Sequence, residues 1–379
     1  MAVNAGLWFR VPDADWDYNF PSGWKSGRTG PAASPVFSRI PGTETPSVNG
    51  QLYGNWGYEL LSKALSATGW RSVSANEAPS TKNRVYSHPP FMYINGEREG
   101  PMATYLVSAT ARKNLKLIIN TDVQRVVRTG GHMTGVETIA CRSGGYSGTF
   151  RVTPNTGRVI LSAGTFGSAR ILMRSGIGPT DMLNVVKGSS DGPTMVGSDA
   201  WIDLPVGSNL NDHVNTDTVI SHPWINFYDY YAAYNTPIPK DADLYLKSRS
   251  GMLAQSAPNI APVFWETIPC SDGIERQLQW TARCEGSLGA PNNFSMTISQ
   301  YLGRGATSRG RTTIDGNLNM VVSNVSYLKT ARDIEAVTKG VANLQAALRG
   351  VTDLEFLSPA PGQSASDYVS SVGTHHESF

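Results

Sequence analysis

One stretch constrains this chain more than any other: Leu161-Ser162-Ala163-Gly164-Thr165-Phe166-Gly167-Ser168-Ala169-Arg170-Ile171-Leu172-Met173-Arg174-Ser175-Gly176-Ile177-Gly178-Pro179. Arg158–Gly164 reads as a buried strand that stops at a glycine, and Phe166–Arg174 as a helix that stops at Ser175-Gly176. A strand that enters a helix through a glycine leaves backbone N–H groups and the positive end of the helix dipole open to an oxygen-rich ligand. Taken alone, such a junction is more often structural than ligand-binding. The neighbouring Gly176-Ile177-Gly178-Pro179-Thr180-Asp181 is no dinucleotide fingerprint, because it lacks the third glycine and follows a helix rather than a strand.

Composition narrows the classes further. A chain of 379 residues is long enough for two domains or one composite one. Hydrophobic residues make up 40%, which supplies a core and excludes a disordered chain. Lys plus Arg (32) nearly balances Asp plus Glu (30), so no basic face points to nucleic acid. No apolar run approaches the roughly 18 residues of a membrane span. Three cysteines without a CxxC exclude a disulfide-rich scaffold and structural zinc. No Gly-x-Ser-x-Gly string or Ser/His/Asp order points to a hydrolase. Only 16% of residues are charged, with 38 Gly and 23 Pro, which describes the loop-rich, weakly charged surface of many secreted proteins. The sequons Asn293-Phe294-Ser295 and Asn324-Val325-Ser326 fit that class. The first residues lack the basic and apolar regions of a signal peptide. Cys270 and Cys284 are placed to close a short disulfide loop, which leaves Cys141 as an isolated buried thiol.

Along the chain, residues 1–50 are aromatic and loop-like. Leu52, Trp56, Leu60, Ala64 and Ala67 give helical spacing over 51–68, and a second helix starts at Pro101 and runs to about Arg112. A strand-rich block follows: Leu115–Ile119, Val123–Arg128, Gly135–Ala140 after a Gly130-Gly131 turn, and Phe150–Val152. Residues 180–200 read as a polar loop. Thr216–Ser221, Ala261–Trp265, Ser295–Leu302 and Thr312–Asp315 are candidate strands of a second unit. Over 331–349, Ile334, Val337, Val341, Leu344 and Leu348 fall on one helical face and Gly350 stops the helix.

The long motif as a whole resembles the second signature of the glucose-methanol-choline (GMC) oxidoreductase family, chiefly through Arg170-Ile171-Leu172 and Ser175-Gly176-Ile177-Gly178-Pro179. Leu204-Pro205-Val206-Gly207-Ser208-Asn209-Leu210-Asn211-Asp212-His213 resembles the family's turn near the flavin. Asn120-Thr121-Asp122-Val123-Gln124-Arg125-Val126 is similar to the strand that meets the adenine, and Ala2-Val3-Asn4-Ala5-Gly6 to the tail of the first signature. Asp15 to Pro21, Pro46 to Gly50 and Asn95 to Pro101 carry a resemblance to the flavin domain of cellobiose dehydrogenases.

This resemblance implies a mixed α/β (α+β) fold, with a partial FAD-binding domain (1–20 and 101–214) interleaved with a substrate domain on an antiparallel sheet with flanking helices (21–100 and 215–365). Residues 366–379 would return toward the FAD domain. The implied cofactor is FAD, approached by Asn4, Val123, Ala163, Gly164, Asn209, Asp212 and His213. The implied substrate is a sugar held by Arg283 and Tyr301 and oxidised at C1 to a lactone, with electrons passing to a quinone or a haem domain. No nucleic acid, membrane or metal is implied, and the family setting is extracellular. The family's glycine-rich βαβ unit is expected ahead of Met1, and its catalytic histidine beyond Phe379. Neither His375 nor His376 takes that histidine's position. A catalytically silent or merely sugar-binding polypeptide, and a relative of aryl-alcohol or glucose oxidases, are the alternatives.

Overall fold

The computed structural model describes residues 5–255, 257 and 259–372. Asn4, His375 and His376 lie outside the described residues. The fold divides into two units, one from residues up to Ala111, His213–Thr307 and onward from Leu328, the other from Arg112–Asp212 and Ser308–Tyr327.

The first unit is built on a mixed seven-stranded sheet. Numbered in chain order, its strands are β1 (Arg71–Ser72), β2 (Val85–Ser87), β9 (Asn215–Ser221), β10 (Ile260–Pro269), β11 (Glu275–Arg283), β12 (Ser295–Leu302) and β15 (Glu355–Ser358). They lie in the order β1-β2-β10-β11-β12-β9-β15. Only β1 and β2 run parallel. A small hairpin, β3 (Tyr93–Ile94) and β4 (Glu97–Arg98), stands apart from the sheet.

Two helices, α3 (Trp56–Ala67) and α8 (Ala331–Leu348), pack on one face of the sheet. Their apolar spacing matches the sequence pattern: Leu60, Leu61, Ala64 and Leu65 of α3, and Val337, Val341, Leu344 and Leu348 of α8, are buried. Ile334 is the exception and faces solvent. The approach is close. A Cβ at Gly57 would fall 2.5 Å from Cys284 Sγ, and one at Gly340 would collide with Gln300 and Leu278. Stacked Phe264 and Trp280, 5.1 Å apart, fill the layer beneath, with Trp70 edge-on to both. The start of α8 is tied down by Asp333, which accepts from Thr307 N at 3.0 Å and pairs with the fully buried Arg276 of β11. Among the described residues no helix is long and apolar enough to cross a membrane.

The second unit holds the antiparallel sheet β5 (Thr121–Thr129), β6 (His132–Ala140) and β7 (Gly148–Arg151). It also holds the ladder β14-β13-β8, made by Met320–Asn324, Gly310–Ile314 and Ser208–Leu210. Helices α5 (Gly164–Arg174) and α6 (Thr180–Lys187) pack with them around Met173, Val186, Ile314 and Leu318.

Several expectations are corrected. Leu115–Ile119 and Arg158–Ala163 are not strands, and several of their apolar side chains face outward, Leu117 at 57% and Ile160 at 84%. Apolarity signals a wish for burial, but a strand also needs a ladder partner, and neither run has one among the described residues. Residues 180–187 are helical rather than a loop; Asp181 in the first turn and Lys187 in the last suit the dipole. The loop-like start contains α1 (Asp13–Asn19) and α2 (Ser26–Arg39), the latter with Pro31 and Pro35 inside it. Strand β11 and helix α7 (Pro239–Ser248) were not expected.

The cysteines are corrected as well. All three are free: Cys141 is exposed, whereas Cys270 and Cys284 are buried. Cys270 follows β10 and Cys284 follows β11, at opposite ends of one hairpin. That separates them by roughly 30 Å at about 3.3 Å per residue, whereas a disulfide needs Cα atoms within about 7 Å. Burial pushes the Cys284 thiol up to about 12. In a native-state thiol titration one cysteine, Cys141, should react within minutes, and Cys270 and Cys284 only in denaturant; three fast thiols would contradict this burial.

His88, in the loop that follows β2, stacks on Tyr58 with centroids 3.4 Å apart. Burial lowers its pKa to about 4. The folded form therefore stays neutral where the unfolded chain takes up a proton. Stability should be fully present above about pH 6.5 and fall toward pH 4, by at most about 3 kcal/mol. Urea denaturation from pH 7 to 4.5 should show this slope, and His88→Phe should flatten it.

Candidate substrate and cofactor sites

In the first unit the central strands have two unlike faces. Trp280, Ala282, Ile298 and Leu302 are buried on the helix side, where Gln300 donates to Val337 O at 3.1 Å. Side chains alternate across a strand, so the neighbouring residues turn to the other face. There the registers Thr281↔Ser299↔Asp217 and Gln279↔Tyr301↔Asn215 set polar groups side by side, with Arg283↔Thr297 next along. Arg283 and Tyr301, the two expected sugar-binding residues, thus share one face of adjacent strands.

Asp217 organises that face. It accepts from Ser299 Oγ at 2.6 Å and from Ser287 Oγ at 3.5 Å, and lies 3.9 Å from Arg283 Nη2. Its backbone carbonyl accepts from the Tyr368 hydroxyl. Thr297 Oγ1 lies 3.0 Å from Ser287 Oγ and donates to Glu285 O at 2.7 Å. Burial raises the Tyr301 phenol above its ordinary range; Ser299 opposes the rise, Asp217 adds to it and Arg283 opposes it. The Arg283 side chain is 37% exposed while its Nε is buried without a hydrogen-bond partner. The cluster can grip a ligand rich in hydroxyls by several directed bonds at once. Asp217 and Ser299 were missed in the sequence, although Asn215-x-Asp217 and Thr297-x-Ser299-x-Tyr301 carry the period-2 polar signal.

In the second unit, the expected flavin residues occupy distinct positions. Val123 is half-buried on β5. Ala163 and Gly164 open α5 and are exposed. Gly164 has φ +76, and nothing lies within 4 Å of where its Cβ would be. The helix has no side-chain cap and no acid in its first turn. Asn209 on β8 is exposed with φ 59. Asp212 accepts from Tyr327 Oη at 2.6 Å, and burial together with that carboxylate pushes the phenol up to about 12. His213, exposed, belongs to the first unit. Val123 and Gly164 lie toward opposite ends of α5, because the adjacent Gln124 accepts from Arg174 at 2.6 Å in the helix's last turn.

The other half of the long motif is structural. Ile177 N donates to Leu172 O at 3.0 Å and Gly176 N to Met173 O at 3.1 Å, a complete Schellman cap. Buried Arg128 donates to Ser175 O, Gly176 O and Ala200 O, and Arg174 makes a bidentate pair with Asp191.

The comparisons with known proteins bear on the family and the fold. The family model for GMC oxidoreductase matches residues 1–215. A dehydrogenase, eriK, of Hericium erinaceus is 30% identical over 206 residues, covering 48% of this chain and 34% of that protein. The GMC-family oxidoreductase mfmG of Annulohypoxylon moriforme is 33% identical over 170 residues, 43% of this chain and 24% of that one. The match thus spans about a third or less of these relatives' length. A solved formate oxidase of Aspergillus oryzae superposes with a TM-score of 0.72 at 16% identity, over 97% of this chain and 69% of that one, which establishes likeness of fold. The chain belongs to the GMC oxidoreductase family, a family of FAD-binding flavoproteins.

The residues present fit one side of that cofactor. The uncapped start of α5, opened by a glycine with free space at its Cβ, offers N–H donors to an oxygen-rich group. Gly176 tests the structural half of the motif. Its φ is +71 and a Cβ would lie 2.5 Å from Val196 Cγ2. Gly176→Ala should cost about 1–3 kcal/mol, measurable as a lower urea midpoint with unchanged slope; an unaltered midpoint would mean the cap tolerates a side chain.

Proposed function

We propose that this chain serves an FAD-dependent oxidation of the CH–OH group at C1 of a sugar, of the cellobiose type, yielding a lactone. The observation that carries this is the cluster of Arg283, Asp217, Ser299 and Tyr301 on the polar face of β9, β12 and β11, in a chain of the GMC family. These polar groups are half-buried or buried beside an apolar cluster of Val85, Val263 and Trp265, and they satisfy one another by directed hydrogen bonds. An ordered polar face suits a polyhydroxylated ring, and the Tyr301 ring adds a flat apolar surface.

In this proposal Arg283, whose side chain is partly exposed, donates to ring or glycosidic oxygens. Asp217, fixed by Ser299, holds the guanidinium in place and accepts from a sugar hydroxyl. Tyr301 stays protonated and donates. FAD, when bound, supplies the acceptor for the hydride leaving C1, and Val123, Ala163, Gly164, Asn209 and Asp212 would hold it. No proton acceptor for the C1 hydroxyl is assigned among the described residues. Reoxidation is ascribed to a quinone or a haem domain, and the setting to the extracellular space, on the strength of the resemblance.

A second reading is a chain that binds sugar without turnover. It is favoured by the outward-facing runs 115–119 and 158–161, whose apolar side chains lack strand partners among the described residues. The chain purified with FAD separates the two. A flavin absorption band bleached by cellobiose supports oxidation. Cellobiose binding without a flavin band supports the silent form. In either case Arg283→Ala should weaken cellobiose binding at least tenfold by calorimetry; unchanged affinity would exclude the polar face as the sugar site.

A further inference from the structure

A cavity of about 440 Å³ in the first unit is lined by Tyr93, Arg98, Tyr230, Tyr234, Leu253 and Gln255 among others, none of them part of the polar face described above. We propose that this cavity is a second saccharide subsite, which takes a glycosyl unit of an oligosaccharide beyond the portion held at Arg283. The proposal rests on the sugar-binding reading of that polar face.

The wall is amphipathic in the way a pyranose ring is. Tyr93 and Arg98 are register partners across the β3–β4 hairpin, and the guanidinium opposes the rise that burial imposes on the Tyr93 phenol. Tyr230 and Tyr234 stand 5.4 Å apart at 65° with their hydroxyls 3.0 Å from each other. Gln255 is oriented by donating to Tyr53 O at 2.8 Å. Aromatic faces can therefore cover the C–H side of a sugar ring while phenols, amide and guanidinium meet its hydroxyl rim. A purely apolar ligand would desolvate those same polar groups without pairing them. Tyr234 is 74% exposed, so the cavity opens to solvent and a chain can continue out of it.

The tyrosine loop joins this cavity to the Arg283 end of the sheet. Tyr231 meets Tyr230 edge-on, with ring centroids 6.1 Å apart, while its hydroxyl lies 3.5 Å from Glu285 Oε1, and both Glu285 and Arg283 act on it electrostatically. Consecutive tyrosines thus face the two places. Tyr231 faces the end of β11 that carries Arg283, and Tyr230 faces the cavity. A saccharide anchored at Arg283 can extend past the loop onto Tyr230 and Tyr234.

The test is calorimetric titration of the 379-residue chain, in FAD-containing buffer, with glucose, cellobiose, cellotriose and cellotetraose. Affinity should rise at least about fivefold from cellobiose to the longer sugars. Tyr234→Ala, at an exposed position, and Tyr230→Ala should each erase that increment and leave cellobiose binding unchanged. An affinity that does not depend on length, or an increment that survives both substitutions, would overturn the proposal. So would Arg98-dependent binding of p-hydroxybenzoate at a cavity that takes no saccharide, which would make it an aryl-anion site. Failure of the polar-face reading looks different: Arg283→Ala would leave all the sugars bound as before, while the Tyr234-dependent increment would persist and uphold the cavity as a saccharide subsite.

Discussion

The close seating of α8 on the central strands is the constraint from which the rest of the first unit follows. At Gly340 the helix approaches so nearly that a Cβ would collide with Gln300 and Leu278. That contact assigns one set of alternate residues on β11 and β12 to the core, Trp280, Ala282, Ile298 and Leu302 among them. Because strand side chains alternate, it also turns the intervening set outward. Arg283, Ser299 and Tyr301 share a face because their neighbours are buried against a helix. A register slip of one residue would bury the arginine and expose the core. The buried Arg276–Asp333 pair ties the first turn of α8 to the same strand, so helix position and strand register are linked.

The long motif in the second unit divides its work. Its end is a helix stop, with a left-handed glycine, two capping bonds and Arg128 on the freed carbonyls. Its start is open: Gly164 has free space, and the first N–H groups of α5 lack a side-chain cap. The residues after the helix are held by these folding contacts, whereas Ala163 and Gly164 at its start are exposed. A single sequence signature therefore mixes two kinds of constraint, and only the hydrogen-bond pattern separates them.

Much of the fold was legible from the sequence. Helices α3, α5 and α8 and strands β5, β6, β9, β10, β12 and β13 carry strong periodicity, and they form within a few residues of the expected bounds. The failures have physical reasons. Strand β11, Glu275–Arg283, reads as charged and amide-rich, yet it is central because Arg276 finds Asp272 and Asp333, and Gln277 donates to Lys82 O and Glu266 O. Helix α2 was hidden by its two prolines. Leu115–Ile119 and Arg158–Ala163 look like core strands but have no ladder partner among the described residues. Cys270 and Cys284, near in sequence, are held apart by the hairpin between them. Of the substrate cluster, Arg283 and Tyr301 were named from resemblance, whereas Asp217 and Ser299 needed the registers.

By itself the sequence carried the family and the cofactor class through the resemblance of its motifs, and it placed the periodic elements because hydrophobic spacing and glycine positions act locally along the chain. Tertiary structure alone decided which polar residues meet. Asp217, Arg283 and Ser299 come from three strands spread over 83 residues, counting 217 to 299 inclusive, and their adjacency depends on strand order and register, which arise when α8 seals the opposite face. The tyrosine cavity was decided in the same way: hairpin β3–β4 and the loop around Tyr230 are separated by more than a third of the chain, and only packing brings them to a common wall.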